Sequence, residues 1–247
     1  MIFAVSGKGG TGKTTLASLI VGNLKSRGQT PILAIDADPN SNLGDKLGLT
    51  VDITIGDLRE DTQELKYEGP AGVPKQRLVE SSLQKAIVEG IGFDLLAMGR
   101  GEGPGCYCSV NNMLRASMQE LARSYRHIVI DNEAGMEHLS RRTNSKVDLM
   151  MIVCDETSTG LKSAERIAEL ARKLDVVDGE MKLVVNRATD SESAQRCASI
   201  VGIELLGFVP NDGMVMDFEI NGRPLVGLPN NSGAVESVDK MLDSLEL

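Results

Sequence analysis

The chain has 247 residues, 41% of them hydrophobic and 25% charged, with four cysteines and a net charge of −9. That length suits one large domain or two small ones, with apolar material enough for a sizeable core. The acidic balance argues against a nucleic-acid partner, which wants clustered Lys and Arg. No stretch approaches the apolar length of a membrane span, and the opening "MIFAVSGKGG" is no signal peptide, so the expected compartment is the cytoplasm, without a stable membrane anchor.

In chain order, "IFAVS" (2–6) reads as a buried strand and runs into "GKGGTGKTT" (7–15), which opens a helix predicted over 13–27. The loop fits G-x-x-x-x-G-K-[ST] at Gly7, Gly12, Lys13 and Thr14, with Gly9, Gly10, Thr11 and Thr15 completing it. Glycines let successive N–H groups turn toward one cluster of phosphate oxygens, and the helix start adds partial positive charge. In this motif Lys13 bridges the β- and γ-phosphates, and the Thr14 hydroxyl binds Mg²⁺. "PILAID" (31–36) is the second strand; its end, "AIDADPNSNLG" (34–44), carries Asp36 and Asp38.

Residues 50–92 are irregular and contain the Gly/Pro-rich "YEGPAGVPKQ" and a predicted helix, "RLVESSLQKAIVEG" (77–90). They read as a crossover insertion within a single domain spanning 1–247. A strand over 93–98 leads to "GPGCYCSVNN" (103–112), where Cys106 and Cys108 stand one residue apart before a helix over 110–125. Next comes "HIVIDNEAGMEHL" (127–139), an apolar strand ending in Asp131 with Gly135 four residues on. This is a Walker B and switch II pattern, in which Asp131 holds Mg²⁺ through water and the Gly135 N–H meets the γ-phosphate; His138 is left unassigned. Strands over 148–154, 181–186 and 203–210 alternate with helices over 159–174, 190–201 and 233–246. Near-continuous apolar strands alternating with helices predict an α/β, doubly wound, mostly parallel seven-stranded sheet in a P-loop domain. Parallel strands end at one edge, so Cys106 and Cys108 are expected on the edge that carries the phosphates. Cys154 and Cys197 read as small core hydrophobes.

Lys8, directly after Gly7, makes "KGGTGKTT" resemble the deviant Walker A group, the class of P-loop ATPases that includes MinD, ParA and the nitrogenase iron protein. The resemblance implies ATP as ligand and a homodimer in which Lys8 reaches the partner subunit's phosphates as a charge clamp. It also implies that Asp38 orients the attacking water or contacts Mg²⁺, and that Asp36 holds the metal's water shell. Asn186, ending "MKLVVN", would pair with the adenine edge, with Pro210 and Asn211 of "FVPNDG" over the base.

Joined to "GCYCSVNN", "DADPNSNLG" and "DNEAGMEHL", the loop makes the whole chain similar to the CooC family, nickel-maturation ATPases for carbon monoxide dehydrogenase with relatives serving acetyl-CoA synthase. That implies delivery of nickel to an apo-enzyme, driven by ATP-dependent switching of a dimer. A two-fold axis would then bring Cys106 and Cys108 of two copies together, giving four thiolates for Ni²⁺ or Zn²⁺. A redox couple is the weaker reading of the cysteines, because neighbours so close make a strained disulfide. Two other functions compete. An electron-transfer ATPase like the nitrogenase iron protein would draw cluster thiolates from two separated loops, and a partition-type ATPase acting on DNA would want a basic surface. A MinD-like membrane helix would be basic, whereas residues 234–247 hold four acids and one Lys.

Overall fold

The computed structural model describes residues 1–38, 42–58, 75–99, 109–132 and 147–247. Among them the strands are β1 (Ile2–Gly7), β2 (Ile32–Asp36), β3 (Ile87–Glu89), β4 (Phe93–Ala97), β5 (His127–Asp131), β6 (Val147–Cys154), β7 (Val177–Ala188) and β8 (Leu205–Pro210). The helices are α1 (Lys13–Ser26), α2 (Leu43–Leu47), α3 (Lys75–Ala86), α4 (Ser109–Ala122), α5 (Ser158–Leu174), α6 (Ser191–Val201), α7 (Gly213–Ile220) and α8 (Gly233–Ser244).

The strands form one sheet in the order β3-β4-β2-β5-β1-β6-β7-β8. Every pairing is parallel except β3 with β4. β1 shows why the central strands read as continuous apolar runs. Phe3 and Val5 join a core with α1, α2 and α8, while Ala4 joins a second core with α3, α5 and α6. Both faces are therefore covered, and neither alternate residue can be polar without a partner. The doubly wound α/β reading holds.

The strand count differs from the seven expected: there are eight among the described residues. The extra one, β3, occupies the end of the segment read as a helix over 77–90. The helix starts at Lys75 and stops at Ala86, and Ile87–Glu89 turn back antiparallel onto Leu96–Asp94. Two β-branched residues favour an extended chain, and a glycine-rich hairpin closes it, with Gly90 N donating to Phe93 O at 2.9 Å and Gly92 at φ 84°. α3 places Val79, Leu83 and Ala86 in the same core as the sheet. Helices α2 and α7 were also unforeseen. α7 has no buried residue, so it carries no amphipathic signal.

Candidate functional site

Parallel register brings the C-terminal ends of the central strands to one edge. Val5 pairs with Asp131, Asp36 with Asp131, Gly7 with Val153, and Asn186 with Val209. A cavity of about 390 Å³ lies there, bounded by the β1–α1 loop, Asp38, Asn186, Pro210 and Asn211, and α7. Gly9, Gly10, Gly12, Lys13, Thr14 and Thr15 all line it.

The loop is held by its own backbone. The Lys8 carbonyl accepts from Thr11 N at 3.3 Å, Thr11 Oγ1 at 2.7 Å and Lys13 Nζ at 3.3 Å. This draws the Lys13 ammonium back over the loop, 8% exposed, while the Lys8 side chain stays exposed. Gly12, at φ 90°, is the N-cap of α1, and no side chain caps it. The first N–H groups of α1 therefore face the cavity without a side-chain acceptor, the arrangement that binds anions. Gly12 is required twice: its φ disfavours other residues, and a Cβ there would lie 2.2 Å from Asn186 Nδ2. Gly7 is equally constrained, since its Cβ would meet Val153 O at 2.4 Å.

Beside the loop stand two buried carboxylates, Asp36 and Asp131, each 1% exposed. Asp36 accepts from Leu43 N at 2.8 Å and Asp38 N at 3.1 Å. Burial pushes its carboxyl up to about 6, against those two hydrogen bonds and with help from the Asp38 charge. Burial raises Asp131 further, to about 7; the Thr14 hydroxyl and Lys13 pull it down while Asp36 and Asp38 push it up. Asp131 Oδ1 and the neighbouring Asn132 Oδ1 are buried with no hydrogen-bond partner. Buried oxygens left unpaired beside a phosphate cradle suit a hard cation. Among the described residues no group of three or more His, Cys, Asp or Glu could hold a metal ion. Thr14, whose hydroxyl bonds Asp131, and the two buried carboxylates nevertheless fit Mg²⁺, which keeps several waters and takes phosphate oxygens.

Asn186 reaches the cavity, but its amide also braces the loop. Nδ2 donates to Thr11 O at 2.7 Å and Oδ1 accepts from Arg187 N at 3.0 Å. Pro210 and Asn211 line the same wall. Gly135, Cys106, Cys108 and His138 lie outside the described residues. Cys154 and Cys197 are buried free thiols; burial pushes Cys154 up to about 12. Both pack within the core, as expected.

Four site residues were missed in the sequence. Arg187 holds a left-handed backbone, φ 57°, and donates from Nη2 to Gly10 O at 2.9 Å. Asp212 caps α7 through Met214 N at 2.7 Å and also accepts from Ser232 Oγ and Ala234 N at the start of α8. It fixes the turn that presents Pro210 and Asn211. Lys46 and Glu219 form an ion pair at the cavity wall. Asp212 alone left a trace, an acid before a helix in "PNDG".

A phosphate cradle on a helix N-terminus, with two buried carboxylates at the ends of adjoining strands, defines a P-loop nucleotide-binding protein. Residues 2–225 match the family described as CobQ/CobB/MinD/ParA nucleotide binding domain, and the chain belongs to that family. It is 41% identical to an ATP-binding protein of Methanocaldococcus jannaschii, over 99% of this chain and 98% of that one. It is 31% identical to the carbon monoxide dehydrogenase accessory protein CooC of Rhodospirillum rubrum, covering 87% of this chain and 85% of CooC. Among solved structures, the MinD cell division protein of Aquifex aeolicus superposes with a TM-score of 0.70 at 26% identity, covering 99% and 95%.

Proposed function

We propose that this P-loop protein is an ATP-hydrolysing, dimerising metallochaperone that inserts nickel into the active-site cluster of carbon monoxide dehydrogenase or acetyl-CoA synthase. The observation that carries the ATPase part is the loop geometry: Lys13 folded over a cradle of free helix N–H groups, opposite Asp36 and Asp131. The similarity to CooC supports nickel as cargo, and the Cys106/Cys108 pair supplies the thiolates that soft metals prefer.

ATP binds with its phosphates on the loop Gly7–Thr15 and its base between Asn186 and the Pro210–Asn211 turn. Thr14, Asp131 and Asp36 would hold Mg²⁺, which would supply positive charge against the phosphates. Lys13 stabilises the phosphates within one protomer, and Lys8, exposed on the loop, extends to the partner subunit's phosphates. Asp38 orients the attacking water, whose proton passes to it or onward to phosphate as ATP and water become ADP and phosphate. The Gly135 N–H senses the γ-phosphate. Closure of two copies brings two Cys106/Cys108 pairs together around Ni²⁺, or Zn²⁺; ATP and metal must each favour one dimer state for the coupling to work. On this reading the activity belongs to a single domain, in the cytoplasm.

The test is nickel titration of the full chain with and without ATP, followed by light scattering. One Ni²⁺ per two chains, lost in the Cys106→Ala/Cys108→Ala variant while ATP hydrolysis persists, is expected. Unchanged nickel stoichiometry in that variant removes the metal role and leaves the ATPase.

A further inference from the structure

The Lys46–Glu219 ion pair joins three elements around the cavity. Glu219 Oε1, from α7, accepts from Thr15 Oγ1 at 3.0 Å in α1 and pairs with Lys46 Nζ from α2. The two side chains are 23% and 38% exposed. A surface ion pair of that exposure adds little to the stability of a fold, so its consequence lies in geometry.

Its geometric reach follows from α2. The first turn of α2 holds Asp36 through Leu43 N at 2.8 Å, and Asp36 in turn accepts from Asp38 N at 3.1 Å. Leu43 and Leu47 anchor one side of the helix in the core. Gly44 lies so close to the chain that follows that a Cβ would stand 2.9 Å from Leu49 O. Lys46 projects from the other side, toward the cavity. A continuous path therefore runs from the P-loop hydroxyl of Thr15 through Glu219 and Lys46 along α2 to the Leu43 N–H that holds the Asp36 carboxylate, which also accepts from Asp38 N.

We infer that Lys46 is a positioning residue for hydrolysis: its pairing with Glu219 clamps α2 against the P-loop helix and so sets where the Asp36 carboxylate, and the Asp38 backbone bonded to it, stand. This rests on the ATPase reading above. Lys46 itself touches neither phosphate nor water in this role; it acts through α2.

The experiment compares Lys46→Met, Glu219→Gln, the double variant, Lys46→Arg and the charge swap Lys46→Glu/Glu219→Lys, each as the full chain checked by circular dichroism. Phosphate release and the affinity of a fluorescent ADP analogue, with and without Mg²⁺, are read. Each single variant is expected to lower kcat about 10-fold with KM within about 3-fold, and the double variant to be no worse than either single. Lys46→Arg and the swap should recover most of the loss. The gain in ADP affinity that Mg²⁺ brings should shrink in the single variants, with affinity in EDTA unchanged. Additive losses, an unchanged kcat in Lys46→Met, or an equal affinity loss without Mg²⁺ overturns the inference; the last would make Lys46 a direct nucleotide contact. If the wild type releases no phosphate, the ATPase reading fails, and an unchanged Mg²⁺ increment in ADP binding still decides against the inference.

Discussion

Two buried residues at the nucleotide edge are held at a cost to the ligand-free fold. Asp131 sits beside Asp36 with one oxygen unpaired. An uncompensated buried charge destabilises, whereas its neutral isostere need not. Asp131→Asn should therefore raise ligand-free stability in urea at pH 7.5 by about 1–2 kcal/mol, and remove the dependence of ADP affinity on Mg²⁺. A loss of stability in that variant would show that the carboxylate is compensated as it stands. Gly12 gives the opposite case. Gly12→Ala must accept a left-handed φ and displace the Asn186 amide, so it should cost about 2–3 kcal/mol, read from urea unfolding. Adding Asn186→Ala should return only the part due to the clash. The P-loop itself was legible residue by residue, because its glycines and lysine have fixed positions in the chain. The bracing of the loop at Thr11 by Asn186 was not, because their contact spans 175 positions.

At the scale of elements, strands read well where burial is two-sided and poorly where it is not. β1, β2 and β5 are buried along nearly their whole length and stood out as apolar runs. β3 is a short edge strand, with Ile87 and Val88 half-buried and Glu89 exposed, whose Ile and Val continue the helical spacing of α3. Its signal was the glycine pair after Glu89, which sets the hairpin and has no bearing on helix periodicity. α7 escaped because it presents Met216 and Ile220 to solvent and buries no residue fully. Its N-terminal end is held by its cap, beside the packing of Met214, Val215 and Phe218 on the core. Burial raises the Asp212 carboxyl, but hydrogen bonds from Ser232, Ala234 and Met214 outweigh it and keep the carboxyl below its ordinary value. Asp212→Ala removes the cap of α7 and a partner at the start of α8, a loss of about 1–2 kcal/mol for a capping contact. Because the same turn carries Pro210 and Asn211, the KM for ATP should rise about 10-fold with kcat nearly unchanged. An unaltered KM would mean that the turn is held by other contacts.

The whole molecule answers to pH through both edges of its sheet, with opposite signs. At the nucleotide edge, Asp36 and Asp131 bind protons more tightly when folded, about 6 and about 7, than in the unfolded chain near 3.8. Between pH 4 and 7 the native state then carries more protons, so this pair's contribution is fully present below pH 4 and is lost as pH rises through 6 and 7. At the other edge, His127 is buried, with Nδ1 unpaired; burial first, then the N-terminal ammonium and Arg126, lower it to about 4 from 6.5. The unfolded chain takes that proton more readily, so His127 contributes stability present above pH 6.5 and lost as pH falls toward 4. Two carboxylates against one imidazole, itself half protonated in the unfolded chain at pH 6.5, leave the net slope downward with rising pH between about 6 and 7. The ligand-free chain should thus melt at a lower temperature at pH 7.5 than at pH 6. Asp131→Asn should flatten that slope, and His127→Gln should leave it in place while protecting the protein below pH 6. Mg²⁺ with ADP places positive charge beside the two carboxylates and stabilises their ionised form. The stabilisation that Mg²⁺ and ADP confer should therefore grow from pH 6 to 7.5, measured as the shift in melting temperature at fixed ligand concentration. An equal shift at both values would mean that the Asp36/Asp131 pair is already ionised at pH 6, and that burial at this edge weighs less than its geometry implies.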